Sequence, residues 1–185
     1  MATATLIPVE EYRFSIAGSG PAIGSSWDPD REYVDGVILQ RNWGDLPHSY
    51  LQGLFLQLFA ARSLHAFVEL RTQVKPRRFR IPDVPAMRAA PKSRFIRRPP
   101  FIVVEILSPE DRVSALGDKI DDYLDFGVAN IRVADPARRT ISSWTREGSH
   151  VFTGAAETSD GSISITLEEI FGGMPEVESE EVEAE

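Results

Sequence analysis

The 185 residues contain no cysteine. Disulfides, thiolate metal sites, cysteine nucleophiles and iron–sulfur chemistry are therefore excluded. The same absence fits a reducing compartment, so a cytoplasmic location is expected. Histidine is sparse: His48, His65 and His150 are the only three, and their spacing matches no zinc motif. Lysine is sparse too, with only Lys75, Lys92 and Lys119 among the 20 basic residues. No apolar run approaches the ~20 residues that a membrane-spanning helix needs. The opening stretch MATATLIPVEEYRF has no basic region leading into an apolar core, so no signal peptide is expected. Phosphate-binding loops, dinucleotide fingerprints and the G-x-S-x-G elbow are missing as well.

What remains is a globular composition, 42% hydrophobic, of a length suited to one domain. The net charge of −8 argues against nucleic acid at first sight. Its distribution argues otherwise. The last ten residues, EVESEEVEAE, hold six glutamates and no basic residue. Residues 175–185 therefore read as a disordered acidic tail behind a single domain spanning 1–174. Between Arg71 and Arg98 stand ten basic residues and one acid, Asp83, a local charge of +9. Such a segment is either a solvated loop or an anion-binding surface.

Periodicity organises the chain. Val9–Phe14 suits a short helix, and 15–30 a Gly/Ser/Pro-rich loop. Glu32–Gln40 reads as a strand pair turning at Asp-Gly. Leu51, Leu54, Phe55, Leu58 and Phe59 form one apolar stripe, so a helix is predicted over 47–62. Strands are predicted over 66–74, 79–87, 101–107, 131–134, 141–146 and 151–153. A second helix is predicted over 111–126, stopped by Gly127, and a short last one over 167–171. Strands on either side of each long helix make the fold α/β, a central mixed β-sheet flanked by α-helices.

One residue breaks the apolar strand FIVVEILSP. Glu105 places a carboxylate where an unpaired one is costly. Either it pairs with a cation for structure, or it holds a metal ion in a cleft. Asp83, between Pro82 and Pro85, sits where proline must interrupt or edge a strand. It is either a turn-stabilising aspartate or a second carboxylate in that cleft. Two carboxylates on neighbouring strands make an oxygen site of the kind Mg²⁺ prefers. Lys119 lies on the margin of the buried stripe Val113, Leu116, Ile120, Tyr123, Leu124. It either snorkels to solvent or reaches the sheet edge beyond Glu105. Glu32 opens the first strand and is a candidate third acid. His48 opens the first long helix and reads as a surface histidine, carried as a supporting residue.

The order VEEY, EYVDG, PDV, IVVEILSP, GDKIDDYLDFGV, VADP closely resembles the Uma-type restriction endonuclease family of the PD-(D/E)XK nuclease superfamily. The resemblance runs from about Val9 to Phe171. It implies a restriction-endonuclease-like fold and metal-dependent hydrolysis of DNA. Asp83 and Glu105 would hold Mg²⁺ or Mn²⁺, and Lys119 would position the attacking water. The superfamily sets its lysine two residues after the second acid. Here that position is Leu107, and Lys119 on the following helix takes the role instead. Glu32 would support the site, although Val37 stands where family members often carry an acid. Arg77, Arg78, Arg80, Arg94, Arg97 and Arg98 would hold the DNA backbone without reading sequence. Cleaving both strands favours a homodimer. No methyltransferase partner is implied. The same pattern is also compatible with a catalytically weak or inactive nucleic-acid-binding or regulatory module.

If the tail competes for the basic segment, deleting residues 176–185 strengthens salt-sensitive DNA binding. Fluorescence anisotropy across a salt series checks this, and unchanged affinity makes the tail a bystander.

Overall fold

The computed structural model describes residues 31–40, 44–108 and 113–177. The expected helix at 9–14, the loop at 15–30 and the acidic tail from 178 onward lie outside the described residues. Strands β1 (Arg31–Val34) and β2 (Val37–Gln40) form the expected hairpin. Asp35 and Gly36 between them have φ of +49° and +100°, the paired positive values that a tight two-residue hairpin turn requires.

Helix α1 (Leu46–Ala61) begins where Asp45 accepts a hydrogen bond from the His48 backbone N–H at 2.9 Å. The predicted stripe faces inward, with Leu51, Phe55 and Phe59 fully buried. A six-stranded sheet takes that stripe. Its order is β10 (Gly148–Val151), β9 (Thr140–Thr145), β8 (Asn130–Asp135), β7 (Ile102–Ile106), β6 (Val84–Met87), β3 (His65–Ala66). Only β7 and β8 run parallel, so the sheet is mixed.

β7 is buried along its whole length, because both faces are covered. Ile102, Val104 and Ile106 join the core under α1. Val103 faces the other way, into a core built on helix α2 (Val113–Phe126) with Ile120, Tyr123, Ile131 and Val133. By the same period of two, Glu105 points toward α2. Gly127 ends α2 with φ +95°, as its position predicts. Among the described residues no helix is long and apolar enough to cross a membrane.

Two predicted strands each divide in two. The stretch 66–74 splits into β3 and β4 (Thr72–Lys75), with Glu69 at φ +54° between them. The stretch 79–87 splits into β5 (Arg78–Arg80) and β6. Pro82 has no N–H for a ladder, and the chain changes sheets there. A second sheet results, ordered β2-β1-β5-β4. The strand expected at 151–153 instead occupies 148–151. A small hairpin, β11 (Ala155–Glu157) with β12 (Ser164–Thr166), is not evident from periodicity.

β12 leads into the short helix α3 (Leu167–Phe171), which buries Ile170 and Phe171 under α1. Thr166 and Glu169 cap it reciprocally, and Glu169 also meets Arg62 at the end of α1 at 2.7 Å. Removing the cap with Thr166→Ala should cost about 1 kcal/mol in urea denaturation. The Thr166 N–H, Arg62 and the Thr166 hydroxyl hold the Glu169 carboxyl down at about 2. A depressed carboxylate stabilises fully above its unfolded value near 4.5 and loses that effect as pH falls toward 2. Glu169→Gln should therefore flatten the stability profile across that acid window and leave its slope near neutrality unchanged.

Candidate active site

β6 and β7 are antiparallel, with Val84 opposite Val104. One step further along that register, Asp83 stands opposite Glu105, and opposed residues share a face. The Ile106 backbone N–H donates to Asp83 Oδ2 at 2.8 Å, fixing the aspartate against the end of β7. Both carboxylates are buried, each 3% exposed. The break between β5 and β6 that places Asp83 in the notch where β6 begins lies at Pro82, which has no N–H to continue one strand.

His48 is not at the surface, where its place at a helix start would put it. It is buried, and its Nε2 lies 3.4 Å from Asp83 Oδ2. The Asp45 cap sets the first turn of α1 over the notch. Gly44 makes room for the ring, since a Cβ there would come within 2.7 Å of His48 Nδ1.

Helix α2 supplies the partners of Glu105. Lys119 Nζ meets Glu105 Oε2 at 3.0 Å, and the Tyr123 hydroxyl donates to Glu105 Oε1 at 2.6 Å. Four residues apart, the two side chains lie one above the other on one helix face. Lys119 Nζ also lies 3.5 Å from Glu32 Oε1. Glu32 accepts from the Ile81 N–H at 3.0 Å and from Arg80 at 2.8 Å. The Arg80 Nε then donates to Asp122 Oδ2 at 2.7 Å, returning the network to α2. Leu107, two residues beyond Glu105, packs against the α2-side core.

The electrostatics follow from this burial. Desolvation pushes the Glu105 carboxyl up to about 7; Lys119 and the Tyr123 hydrogen bond pull it down, while Asp83 and Glu32 push it further up. Glu32 is as deeply buried, and desolvation raises it, yet Lys119 and Arg80 outweigh that and leave it below the usual range. Burial, with Glu105 beside it, lifts Tyr123 well above the ordinary phenol value, so it stays a proton donor.

The basic segment divides. Arg80 is 4% exposed and locked between Glu32 and Asp122, so it cannot hold DNA. Arg78 is half-buried, and its guanidinium is engaged by Asp122 and Asp35. Both lie beside α2, which packs on the face of β5 that alternation assigns to solvent; Arg78 still keeps 24% of its side chain exposed. Arg77, Arg94, Arg97 and Arg98 are exposed. Tyr123, Arg80 and Asp122 are site-network residues that sequence reasoning does not single out as such. Tyr123 carries one signal, its spacing of four from Lys119.

The donor set suits a hard, hydrated cation. Asp83 lies near enough to raise the Glu105 carboxyl, and among the described residues no group of three or more His, Cys, Asp or Glu side chains is arranged to hold a metal ion. Mg²⁺ and Mn²⁺ sites of this kind keep water and substrate oxygens as remaining ligands.

A mixed sheet with helices on both faces is the architecture of restriction-endonuclease-like nucleases. The chain belongs to the Uma2 family, described as "Putative restriction endonuclease", whose model matches residues 25–174. Among solved structures, a putative nuclease of the domain family DUF820 from Anabaena variabilis superposes with a TM-score of 0.69. It is 20% identical, over 90% of this chain and 98% of its own. A search of curated proteins finds no match.

The burial of Arg80 can be checked by stability. Arg80→Ala takes one shared cation from two buried carboxylates, Glu32 and Asp122, and should cost about 3 kcal/mol. Arg94→Ala at the surface should stay within about 0.5 kcal/mol. Chemical denaturation of the two variants measures the contrast.

Proposed function

We propose that the protein hydrolyses phosphodiester bonds of DNA with a divalent cation held by Asp83 and Glu105. The observation that carries this reading is the opposed carboxylate pair at the β6–β7 notch, with Lys119 clamped to its second member. Bound Mg²⁺ or Mn²⁺ would supply Lewis-acid polarisation of a phosphoryl oxygen and a water of lowered pKa. The remaining work belongs to the chain. Asp83 is aimed by the Ile106 N–H and by His48. Tyr123 and Lys119 fix the plane of the Glu105 carboxylate by occupying one oxygen each. The Lys119 ammonium, ion-paired with Glu105 and Glu32, stands beside the pair and stabilises negative charge gathering on the phosphoryl oxygens. Glu32 and Arg80 hold that ammonium in place. Cutting both strands of a duplex would engage two such sites facing each other in a two-fold dimer.

One observation favours a second reading, a non-catalytic nucleic-acid-binding module. Both oxygens of Glu105 already have donors, so the network is complete without a metal.

Cation binding separates the two. Under the nuclease reading, Mg²⁺ or Mn²⁺ raises the melting temperature, by the equivalent of about 2.7 kcal/mol at a hundredfold excess over Kd. Asp83→Asn and Glu105→Gln should abolish the shift and the nicking of supercoiled plasmid together. No shift in the wild type, or equal nicking by wild type and Glu105→Gln, overturns the assignment.

A further inference from the structure

The central sheet ends in β10, and the outer side of that strand is uncovered. Gly148, Ser149, His150 and Val151 are all exposed, Val151 by 50%. The opposite edge is β3, only two residues long. In the second sheet, Ile96 bridges to Thr72 on the edge of β4. Proteins usually guard such an edge with lysine, proline, a bulge or a covering segment. Gly148–Val151 contains no Lys, Arg, Asp, Glu or Pro, and it pairs with β9 through four successive partners without a bulge.

The direction of each backbone group follows from the register. β9 and β10 are antiparallel, with Thr145 opposite Gly148 and Ser142 opposite Val151. Arg146 and Glu147 make a two-residue turn, so the pair that closes it, Thr145 with Gly148, is a hydrogen-bonded one. Hydrogen-bonded and non-bonded pairs then alternate along the ladder. His150 and Phe152 bond inward, and the Phe152 N–H does donate to Ile141 O at 3.0 Å. Ser149 and Val151 therefore turn N–H and C=O away from β9, where no strand meets them among the described residues.

We infer that β10 pairs with β10 of a second copy of this chain, antiparallel about a two-fold axis at His150. The partner follows from the spacing, because two outward residues flank one inward residue. The axis sets Ser149 against Val151 of the second copy and Val151 against its Ser149. Each outward N–H then meets an outward C=O, which makes four backbone hydrogen bonds from one repeated strand. Ser149 stands opposite Trp144, and Val151 lies on the same face, so pairing also takes apolar surface of Val151 out of water. Arg146 and Glu147 stay in the turn, so no like charges are opposed. A foreign strand would draw its specificity from pockets for alternate side chains. A self-pair needs only the symmetry that this strand already has. Seven strand spacings, roughly 34 Å, would separate the two β7 strands. The interface therefore joins two copies without setting their notches face to face, and it does not depend on the nuclease reading. It is small, so the dimer should come apart on dilution.

The chain has no cysteine, so single cysteines report the register. Across the axis His150 faces its own copy in a non-bonded pair, with Cα atoms about 4.5 Å apart, within reach of a disulfide. Ser149 lies diagonal to its own copy at about 7–8 Å, beyond that reach. With oxidised glutathione, His150→Cys in the full chain should give a covalent dimer on a non-reducing gel, and Ser149→Cys should remain largely monomeric. Sedimentation velocity of the wild type from about 5 to 500 µM should show the mean mass rising from one chain toward two. Val151→Lys, which sets like charges beside each other at the axis, should hold the mass at one chain. Its melting temperature at low concentration should stay within about 2 °C of wild type. Val151→Pro, which removes one outward N–H and no ladder bond, should do the same, whereas His150→Pro removes an inward N–H and should lower the melting temperature. A one-chain mass at every concentration overturns the interface. So does equal cross-linking of the two cysteine variants, or a two-chain mass that survives Val151→Lys. None of these readouts involves a divalent cation or cleavage, so failure of the nuclease reading leaves them untouched.

Discussion

A carboxylate at position 105 has to be accommodated in the most thoroughly buried strand of the molecule, and most of the site follows from how that is done. Alone it would cost several kcal/mol and take up a proton. Lys119 and Tyr123 meet its two oxygens from one face of α2, which fixes both the rotation of that helix and its height above β7. Lys119 also lies 3.5 Å from Glu32, which brings a second carboxylate from β1. Glu32 in turn needs Arg80, and Arg80 needs Asp122. The charges alternate along this path, so each desolvated group is neutralised by the next.

This circuit explains why a second sheet is present at all. β1 and β5 share only a short pairing, Tyr33 with Phe79 and Val34 with Arg78. Their hydrophobic contact is a small cluster of Tyr33 and Phe79 with Ile38 and Phe95. Val74 of this sheet joins the α2-side core. The ion pairs of β5 with α2 do the docking. Removing one member of a buried pair is far costlier than replacing the whole pair with apolar groups. The arrangement therefore specifies geometry more than it adds stability, which is what a site with fixed carboxylate directions demands.

Asp83, Glu105 and Lys119 stand out in the sequence because each contradicts its surroundings: an acid between prolines, an acid in an apolar run, a rare lysine at the edge of a helical stripe. The long helices and β7 stand out because burial imposes one period over many residues. Arg78 and Arg80 do not, and the reason is instructive. The triplet Arg-Phe-Arg alternates, so Phe79 facing one core sends both arginines to the opposite face. Sequence assigns that face to water by default; only tertiary packing shows α2 lying on it. The burial of His48 is hidden for the same reason, since a polar residue at a helix start is normally solvated. The splitting of 66–74 and 79–87 depends on which sheet each half joins, a choice that local pattern does not encode.

The +9 segment and the acidic face of α2 are best understood together. Asp122 and Asp125 engage Lys75, Arg78 and Arg80, and Arg146 adds to Asp125 at 2.9 Å. Inside the fold those basic residues act as counter-ions, and their charge is largely cancelled at any distance beyond a Debye length of about 8 Å. What projects outward is concentrated in the connection from β6 to β7, where no acid stands among residues 92–98. A net charge of −8 and a local cationic surface are thus compatible without contradiction. Long-range attraction scales with unneutralised charge on one face, not with the sum over the chain. The pairing of Lys75, Arg78 and Arg80 with α2 separates these three from the exposed cations of the segment.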